Sequence, residues 1–366
     1  MQVRDIISAI EATAPVIYQE SYDNSGLQVG NPADEVRGVL LCLDVTEAII
    51  AEAMERGCNM VVAHHPLIFS GLKRLAGRTY IERVVRSAIK NDINIYAAHT
   101  NLDNMLHGVN AKIAEKLGLQ NVQILAPKAG TLSKLYTYAP VSAAAKVRDA
   151  LFAAGAGGIG KYTECSFNTA GQGTFRPGAG TAPAIGEAGG GRELVEEVKI
   201  EVLVEQHSVR SVMAALKASH PYQEVAYELI PLPNENQGIG AGMVGTLAEA
   251  VDELAFLSFV KTQMQAACIK HTELRGRKIE KVAICGGSGS FLLRDAIAAG
   301  ADIFITSDYK YHQFFDAEGQ IIIADIGHYE SEQYTPEIFA AVLNEKFPNF
   351  AILLSNLSTN PVKYFC

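Results

Sequence analysis

Disulfide frameworks, thiolate metal sites, membrane spans and a basic surface are all features that this sequence lacks. Its six cysteines include no Cys-x-x-Cys pair, and several of them lie within apolar runs, so we expect free thiols in a reducing compartment. No uncharged apolar run reaches the roughly 18 residues that a membrane span requires. The first residues have neither the apolar region nor the cleavage site of a signal peptide. Together these absences predict a cytoplasmic protein.

The charge balance of the chain is acidic. The sequence has 40 acidic and 31 basic side chains and a formal net charge of −9. Nucleic acids and anionic membranes attract basic surfaces, so neither is an expected partner, although these totals allow a local basic patch. With 366 residues, the chain is longer than one ordinary hydrophobic core supports, and we therefore expect two domains.

One unit recurs in both the first and the last third of the chain: a short apolar run, then polar residues, then a helix. The six apolar runs cover residues 38–43, 59–63, 93–98, 282–285, 302–305 and 321–324. Continuous apolar strands that alternate with helices indicate an α/β fold with a mostly parallel sheet covered by helices. Because parallel strands end along one edge of a sheet, we expect the polar residues after these runs to meet there, where such sheets bind ligands.

The middle of the chain has a different pattern. The predicted elements are strands at 134–138, 198–204 and 225–230, helices at 143–154 and 208–218, and a hairpin formed by 165–169 and 173–175. We interpret this order as β-α-β-β-α-β, which is that of a ferredoxin-like domain. The sequence therefore predicts an inserted α+β domain over residues 125–245, within a discontinuous α/β core formed by 1–124 and 246–366.

Five side chains near these strand ends combine imidazole and carboxylate groups. They are His64, His65, Asp103, His328 and Glu332. Such ligands suit zinc, iron, manganese or nickel better than calcium. Five ligands can saturate one ion, whereas two ions about 3.5–4 Å apart, bridged by a carboxylate, keep open positions for water or substrate. The pattern therefore favours a catalytic two-metal site over a structural one, with the catalytic residue unknown.

Each of these elements, taken alone, also has an ordinary explanation. Adjacent histidines can end a core strand, and a His-x-x-x-Glu pair on a helix is more often a surface feature than a metal site. Asp103 can cap a helical turn. The prediction of a metal site depends on the joint occurrence of the five residues at one sheet edge.

Other polar residues at the same edge have two interpretations. His99 is either a sixth ligand or a group that orients a ligand, and a simple hydrogen bond to the backbone explains it equally well. Asp308, Lys310 and His312 either orient a ligand or contact substrate, with His312 as a proton donor or acceptor. Alternatively, these three residues form an ordinary solvated loop.

The glycine-rich turn at 285–290 is also open to two interpretations. Its amides, at a helix N-terminus, can hold a phosphate or a carboxylate, although the P-loop pattern is absent. Alternatively, its small residues permit close packing of a strand and a helix. The histidines outside these segments are predicted to be non-ligands: His107, His207, His220 and His271.

Four motifs together resemble those of one family. They are HHPLIF at 64–69, HTNLD at 99–103, TSDYKYH at 306–312 and GHYESE at 327–332. The set is similar to that of the Nif-three-like dinuclear-metal proteins, also called GTP cyclohydrolase I type 2 homologues, over residues 1–124 and 246–366. The HPYQE segment at 220–224 resembles the CutA/PII-like insert of the longer bacterial members. The chain departs from the family at Ser307, where glycine is more usual.

This resemblance implies a site for two divalent metal ions, zinc first, with iron or manganese as alternatives. The five residues named above would hold the ions, and His99 and Asp308 would lie beside them. The resemblance also implies a homohexameric ring whose sites face an internal cavity.

Three functions are compatible with these observations. The first is a metal-dependent hydrolase that uses activated water on a small nucleotide-like or cyclic-amide substrate. The alternative is a non-enzymatic metal-handling or regulatory protein whose inserted domain senses a ligand or partner. A third, a ring associated with nucleic acid, is disfavoured by the acidic charge.

Overall fold

The computed structural model describes residues 1–365, and the chain divides into two compact units. Unit 1 comprises residues 1–127 together with the described chain from residue 238 onward. Unit 2 comprises residues 128–237. Each unit has its own hydrophobic core.

Eleven α-helices lie within residues 1–365. They are α1 (Val3–Thr13), α2 (Glu47–Glu55), α3 (Tyr80–Lys90), α4 (Thr100–Asp103), α5 (Val109–Lys116), α6 (Val141–Ala153), α7 (Val209–Ser219), α8 (Glu253–Gln263), α9 (Leu293–Ala298), α10 (His328–Glu332) and α11 (Thr335–Lys346). Short 3-10 helices cover Val16–Tyr18, Gln206–Ser208, Ser290–Leu292 and Tyr311–Ala317. None of the helices in this part of the chain combines the length and apolar character needed to cross a membrane.

The strands cover the apolar runs of the sequence and several further segments. They are β1 (Gly26–Val29), β2 (Val39–Cys42), β3 (Met60–Ala63), β4 (Asn94–Ala97), β5 (Gln120–Ala129), β6 (Leu132–Pro140), β7 (Ser166–Phe175), β8 (Glu193–Glu205), β9 (Tyr227–Leu232), β10 (Glu235–Val251), β11 (Lys270–His271), β12 (Ile279–Ser288), β13 (Ile303–Ser307), β14 (Ile322–Asp325) and β15 (Ile352–Leu354).

Three helices of unit 1 begin where a side chain satisfies a free backbone amide. The Thr46 hydroxyl accepts from the Ile49 amide at the start of α2, and Thr79 does the same for α3. Asp252 accepts from two amides at the start of α8. Short polar side chains are favoured at these positions because the first helical amides have no partner within the helix.

Unit 1 contains two mixed sheets. Sheet A has the order β1-β4-β3-β2-β15, in which only β1 runs antiparallel to its neighbour. Sheet B has the order β11-β14-β13-β12-β10-β5, with β14, β13 and β12 parallel and both β11 and β10 antiparallel to their neighbours. The sequence predicted that all six apolar runs share one sheet, and this was wrong, because three runs belong to each sheet.

Alternate side chains of each parallel strand enter different cores. In β2, Val39 and Leu41 join the core that sheet A shares with sheet B and with α1, α5, α8 and α11. Leu40 and Cys42 point to the opposite face, where α2 and α3 cover sheet A. Strands buried on both faces have no polar positions, which is why they read as continuous apolar runs.

Unit 2 is built on one antiparallel sheet. Its strand order is β7-β8-β6-β9, and α6 and α7 pack on the face that carries Leu135, Ile200 and Val202. The expected hairpin at 165–175 is absent, because β7 is one continuous strand. Gly171 and Gly173, which suggested a turn, are instead paired with β8.

Candidate metal centre

The centre lies where parallel strands of sheet A and sheet B end. His64 and His65 directly follow β3, and α4, which follows β4, ends at Asp103. From sheet B, the chain leaves β14 at Asp325 and enters α10, which begins at His328. The ends of parallel strands therefore bring the predicted ligands together, but from two sheets instead of one.

Helix α10 places two of these groups on one face. It is five residues long, so His328 and Glu332 are its first and last residues and lie four positions apart. Gly327 precedes the helix with a φ of 95°, a conformation that suits glycine. The Nε2 atom of His328 is 3.1 Å from a carboxylate oxygen of Glu332.

Glu332 is the central group of the cluster. Its Oε2 atom lies 2.9 Å from Nε2 of His65, and its Oε1 atom lies 3.8 Å from Nε2 of His64. The carboxylate is only 3% exposed, so it cannot obtain its stabilisation from bulk water. A buried carboxylate surrounded by three imidazoles is a typical arrangement around a cation.

Three sets of ligand atoms are close enough to hold a metal ion, with all atoms of each set within 4.8 Å of one another. The sets are His64 with Asp103 and Glu332, His65 with His328 and Glu332, and His64 with His65 and His99. Glu332 belongs to two of them. The histidine and carboxylate groups are therefore positioned to hold a metal ion.

The Nδ1 atoms of the histidines fix their tautomers. His64 Nδ1 faces the Ala98 carbonyl at 2.9 Å, and a carbonyl can only accept, so this nitrogen carries the proton. His65 Nδ1 meets Asp44 at 2.7 Å, and His328 Nδ1 meets Asp308 at 2.6 Å. In the neutral rings, each Nε2 lone pair then points into the cluster, as metal-ligating histidines require.

Two buried atoms in the cluster have no hydrogen-bond partner. They are Nε2 of His64 and Oδ1 of Asp103, which lie 3.5 Å apart. Leaving a buried polar atom unpaired costs about 1–3 kcal/mol, so such atoms are rare without a reason. A metal ion between them would satisfy both, and the donor set therefore fits a divalent cation.

The same proximity shifts the pKa of two histidines upward. Burial opposes protonation of His65, but Asp44 and Glu332 outweigh it and raise its pKa to about 9. For His328, Glu332 and Asp308 likewise overcome burial and raise the pKa to about 11. Without metal, protons therefore take the place of a cation in balancing the carboxylates.

His64 and Asp103 have shifts of a different origin. Complete burial is the main cause that lowers the pKa of His64 to about 4, which keeps its ring neutral. Burial also raises the pKa of Asp103 well above its usual range, and the charge of Glu332 adds to this. Glu332 itself has a lowered pKa, because the neighbouring histidines outweigh the effect of its burial.

The remaining predicted residues divide into two groups. His99 lies in a ligand set and receives its orientation from Asp23, 2.8 Å from its Nδ1, and Asp308 contacts His328 directly. In contrast, His312 packs against aromatic rings of its own 3-10 helix and lies outside the three sets. Lys310 is solvent-exposed, so neither residue lies among the ligand atoms, and His312 belongs to a 3-10 helix instead of the expected loop.

The glycine-rich turn serves packing, and three of its amides are occupied. The Gly286, Gly287 and Gly289 amides donate to Asn110, Ser331 and Thr306. A Cβ atom on Gly287 would lie 2.4 Å from Oε1 of Glu332. The turn therefore gives Glu332 room, and the three glycine amides that could have held an anion already donate to side chains.

Sequence reasoning missed the two carboxylates behind the histidines. Asp44 follows β2 and contacts His65, whereas Asp23 lies in a turn and contacts His99. Asp44 could have been predicted, because it follows an apolar run, as every segment with a predicted ligand does. Asp23 had no such signal, since Asp-Asn-Ser-Gly reads as an ordinary turn.

A cavity of about 390 Å³ opens beside the cluster. Its polar lining includes His65, His99 and His328. Its apolar lining includes aromatic residues and part of a C-terminal segment: Phe69, Tyr329, Pro361, Val362 and Tyr364. The cavity is large enough for a small molecule to reach the cluster.

The chain is similar to proteins of one family along nearly its whole length. A family model described as Duf34/NIF3 (NGG1p interacting factor 3) matches residues 1–361. A Halalkalibacterium halodurans protein named GTP cyclohydrolase 1 type 2 homolog is 38% identical over 365 residues, 98% of this chain and 98% of that protein. A Bacillus subtilis protein of the same name is 36% identical over 366 residues, 99% of this chain and 98% of that one.

A solved structure is also similar. The crystal structure of a Bacillus cereus protein related to NIF3 has a TM-score of 0.88 and 38% sequence identity. The match covers 100% of this chain and 99% of that chain. The similarity therefore extends to the arrangement of both units along the sequence.

Proposed function

The chain belongs to the Duf34/NIF3 family, and on that premise we propose that it is a metal-dependent hydrolase with a two-metal site. The ligands are His64, His65, Asp103, His328 and Glu332. The observation that carries this proposal is the sharing of Glu332 by two ligand sets, one with His64 and Asp103 and the other with His65 and His328. A carboxylate has two oxygens and can serve one ion with each.

The unpaired atoms support the same ligand set. His64 Nε2 and Asp103 Oδ1 lie in the first set without another partner. In the second set, Nε2 of His65 and Nε2 of His328 are 3.3 Å apart, a distance at which two lone pairs repel unless a proton or cation lies between them. A divalent ion would satisfy the atoms of the first set and take the place of the proton in the second.

The protein's own residues prepare the site for chemistry. Asp44 and Asp308 hold the imidazoles in one tautomer, and Asp23 does so for His99. The aromatic rings of Phe69 and Tyr329 both line the cavity and can give apolar contact to a planar substrate. The proposed substrate is a small nucleotide-like or cyclic-amide molecule.

When bound, divalent ions supply Lewis acidity and lower the pKa of water toward neutrality. The mixed nitrogen and oxygen donors favour zinc, with iron or manganese as alternatives.

Metal content and turnover test this function together. We expect gently purified protein to hold two divalent ions per chain by elemental analysis. We also expect the loaded protein to hydrolyse at least one member of a panel of nucleotides, cyclic amides and phosphoesters. Asp103→Asn should lose both metal and turnover, whereas Asp149→Asn, an exposed change in unit 2, should lose neither. A loaded protein that turns over nothing on this panel would argue against a hydrolase.

A second candidate function is regulation through unit 2. A cavity of about 660 Å³ lies in this unit, lined by β7 and β8 and by the segment around Tyr222. Its walls combine Phe175 and Tyr222, 5.8 Å apart between ring centroids, with the carboxylate of Glu197. Such a cavity would suit a sensed small molecule. Removal of residues 128–237 discriminates between the two functions. A hydrolase keeps its turnover without unit 2, whereas a regulatory protein loses its response to the small molecule.

We propose two further features on the resemblance and the strand order. Unit 2 is a ferredoxin-like inserted domain, as the strand order β7-β8-β6-β9 with two helices on one face suggests. The protein forms a homohexamer in the cytoplasm. The molar mass measured by light scattering after size-exclusion chromatography tests the assembly. The mass of a monomer would contradict the homohexamer.

A further inference from the structure

The C-terminal segment Ser355–Tyr364 contacts both halves of the metal centre. It follows β15, which pairs with β2 at the edge of sheet A. From there it passes Asp44, which lies behind His65, and then reaches Glu330 on α10. The segment has little regular structure, so side-chain contacts hold it in place.

The first anchor is at Glu52 of α2. The Ser355 hydroxyl donates to Oε2 of Glu52 at 2.5 Å, and the Asn356 amide donates to Oε1 at 3.0 Å. Glu52 is itself paired with Arg56 at 2.8 Å. This anchor fixes the start of the segment against sheet A.

The second anchor bears directly on the metal centre. The Thr359 hydroxyl donates to Oδ2 of Asp44 at 2.5 Å, while Oδ1 of the same carboxylate lies 2.7 Å from Nδ1 of His65. The two oxygens of Asp44 are thus held by Thr359 on one side and by His65 on the other. Contacts at both oxygens restrict the rotation of the Asp44 carboxylate, which in turn orients the His65 ring.

The third anchor joins the segment to α10. The Asn360 side-chain amide donates to Oε1 of Glu330 at 3.0 Å, and Oδ1 of Asn360 accepts from the Val362 amide at 2.9 Å. Glu330 lies between His328 and Glu332 in sequence and is only 5% exposed. Asn360 therefore ties the helix that carries two proposed ligands to the segment that positions a third.

From these contacts we propose that Ser355–Tyr364 is a positioning element of the metal centre. Thr359 orients His65 through Asp44, and Asn360 orients α10 through Glu330. The inference rests on the proposed metal site. This one segment contacts Asp44, which follows a strand of sheet A, and Glu330, which lies in the helix after a strand of sheet B. It therefore sets the spacing between the two halves of the site.

The test compares Thr359→Val, which removes only the hydroxyl, with Thr359→Ser, which retains it. The readouts are the zinc dissociation constant, from competition with a chromophoric chelator, and thermal unfolding of the metal-free protein. We expect Thr359→Val to weaken zinc binding by about 10-fold, the effect typical of losing a group that orients a ligand. Thr359→Ser should keep the affinity, and Ser142→Ala, at an exposed position of α6, should match the wild-type protein.

A second variant guards against a general loss of folding. Asn360→Asp keeps the shape of the side chain but places a carboxylate against Glu330, so α10 should shift and zinc binding should weaken. The visible spectrum of the cobalt-substituted protein should change in Thr359→Val, because it reports ligand geometry.

The outcomes separate this inference from the proposed function. Unchanged zinc affinity in both Thr359→Val and Asn360→Asp would overturn the positioning role while leaving the metal site intact. Equal loss in Thr359→Val and Thr359→Ser would also overturn it, since the hydroxyl would not be the cause. If the unchanged protein holds no zinc, the metal site fails and this inference fails with it.

Discussion

Unit 1 and unit 2 each bury a histidine, and the two rings differ in their partners. In unit 2, His220 Nε2 faces the Tyr138 carbonyl at 2.9 Å, and its Nδ1 accepts from the Tyr222 amide at 3.1 Å. In unit 1, His64 has a partner only at Nδ1, and its Nε2 faces the carboxylates of the cluster. The first ring is a completed structural group, whereas the second has a lone pair available to a cation.

The charged groups of the two units differ in the same way. In unit 2, Lys199 pairs with Glu201 on the sheet surface, where water shares in the solvation of both. In unit 1, Glu332 is buried and faces the Nε2 atoms of three histidines. Burial alone thus does not identify a functional residue, and the partners of each buried polar atom must be compared as well.

The largest expected effect tests the central carboxylate of unit 1. Glu332→Gln removes the charge shared by two ligand sets, so zinc binding should weaken by more than about 100-fold, beyond the usual loss for a supporting group. Competition titration with a chelator measures it. Glu228→Gln, at an exposed position of unit 2, is the control and should leave zinc affinity unchanged. Equal affinities in the two variants would remove the distinction between the units.

The next effect compares the two buried histidines directly. His64→Leu and His220→Leu each leave a buried carbonyl without its donor, so each should lower the free energy of unfolding by about 1–3 kcal/mol. Only His64→Leu should weaken zinc binding. Denaturant unfolding of the metal-free proteins and zinc titration measure the two quantities. Loss of zinc in His220→Leu would contradict the structural role of that ring.

Zinc must displace the protons of His65 and His328 when it binds. Zinc affinity should therefore change by about tenfold per pH unit for each of these two groups. Their pKa values of about 9 and about 11 lie above neutrality, so zinc affinity should rise from pH 6 to pH 8.5. Titration at several pH values gives the slope. Asp44→Asn removes a group that raises the pKa of His65, so its slope should be shallower.

The same pKa values predict how the stability of the metal-free protein depends on pH. Both are raised above the unfolded value of 6.5, so their contribution is present below pH 6.5 and is lost as pH rises through 9 and then 11. His64 has the opposite sign, because its pKa is lowered to about 4 and its contribution is lost as pH falls from 6.5. Denaturant midpoints across this range should be highest near pH 6.5.

The smallest expected effect on zinc binding is that of an alanine substitution at one of two glycines with similar backbone angles. Gly287 has a φ of 61° and faces Glu332, whereas Gly160 in unit 2 has a φ of 57° with nothing within 4 Å of a Cβ atom. Alanine at either position should cost roughly 1–2 kcal/mol of backbone strain. Gly287→Ala should in addition weaken zinc binding several-fold, while Gly160→Ala should not. Unfolding and zinc titrations of both variants check this.

Much of the candidate centre could be predicted from local sequence. His64 and His65 follow an apolar run that forms β3, and Asp103, His328 and Glu332 each follow another strand of that type. Hydrophobic periodicity and composition depend only on residues that are close in sequence. The end of each strand can therefore be predicted without knowledge of the rest of the chain.

The hydrogen-bond partners could not be predicted in this way. Thr359 contacts Asp44 across 315 sequence positions, and neither residue has a neighbour that reveals the pairing. The expected hairpin in unit 2 was wrong for a related reason. Glycines suggested a turn at 165–175, but pairing with all of β8 made the segment one strand.

The sequence by itself determined which residues are buried strands and which polar groups follow them, because alternation and apolar runs depend only on neighbours. Tertiary structure alone decided that the runs divide between two sheets and that His65 meets Glu332 across 267 positions. It also decided that Nε2 of His64 has no hydrogen-bond partner. These features depend on how two sheets pack around one core, and packing is set by contacts among residues far apart in the chain.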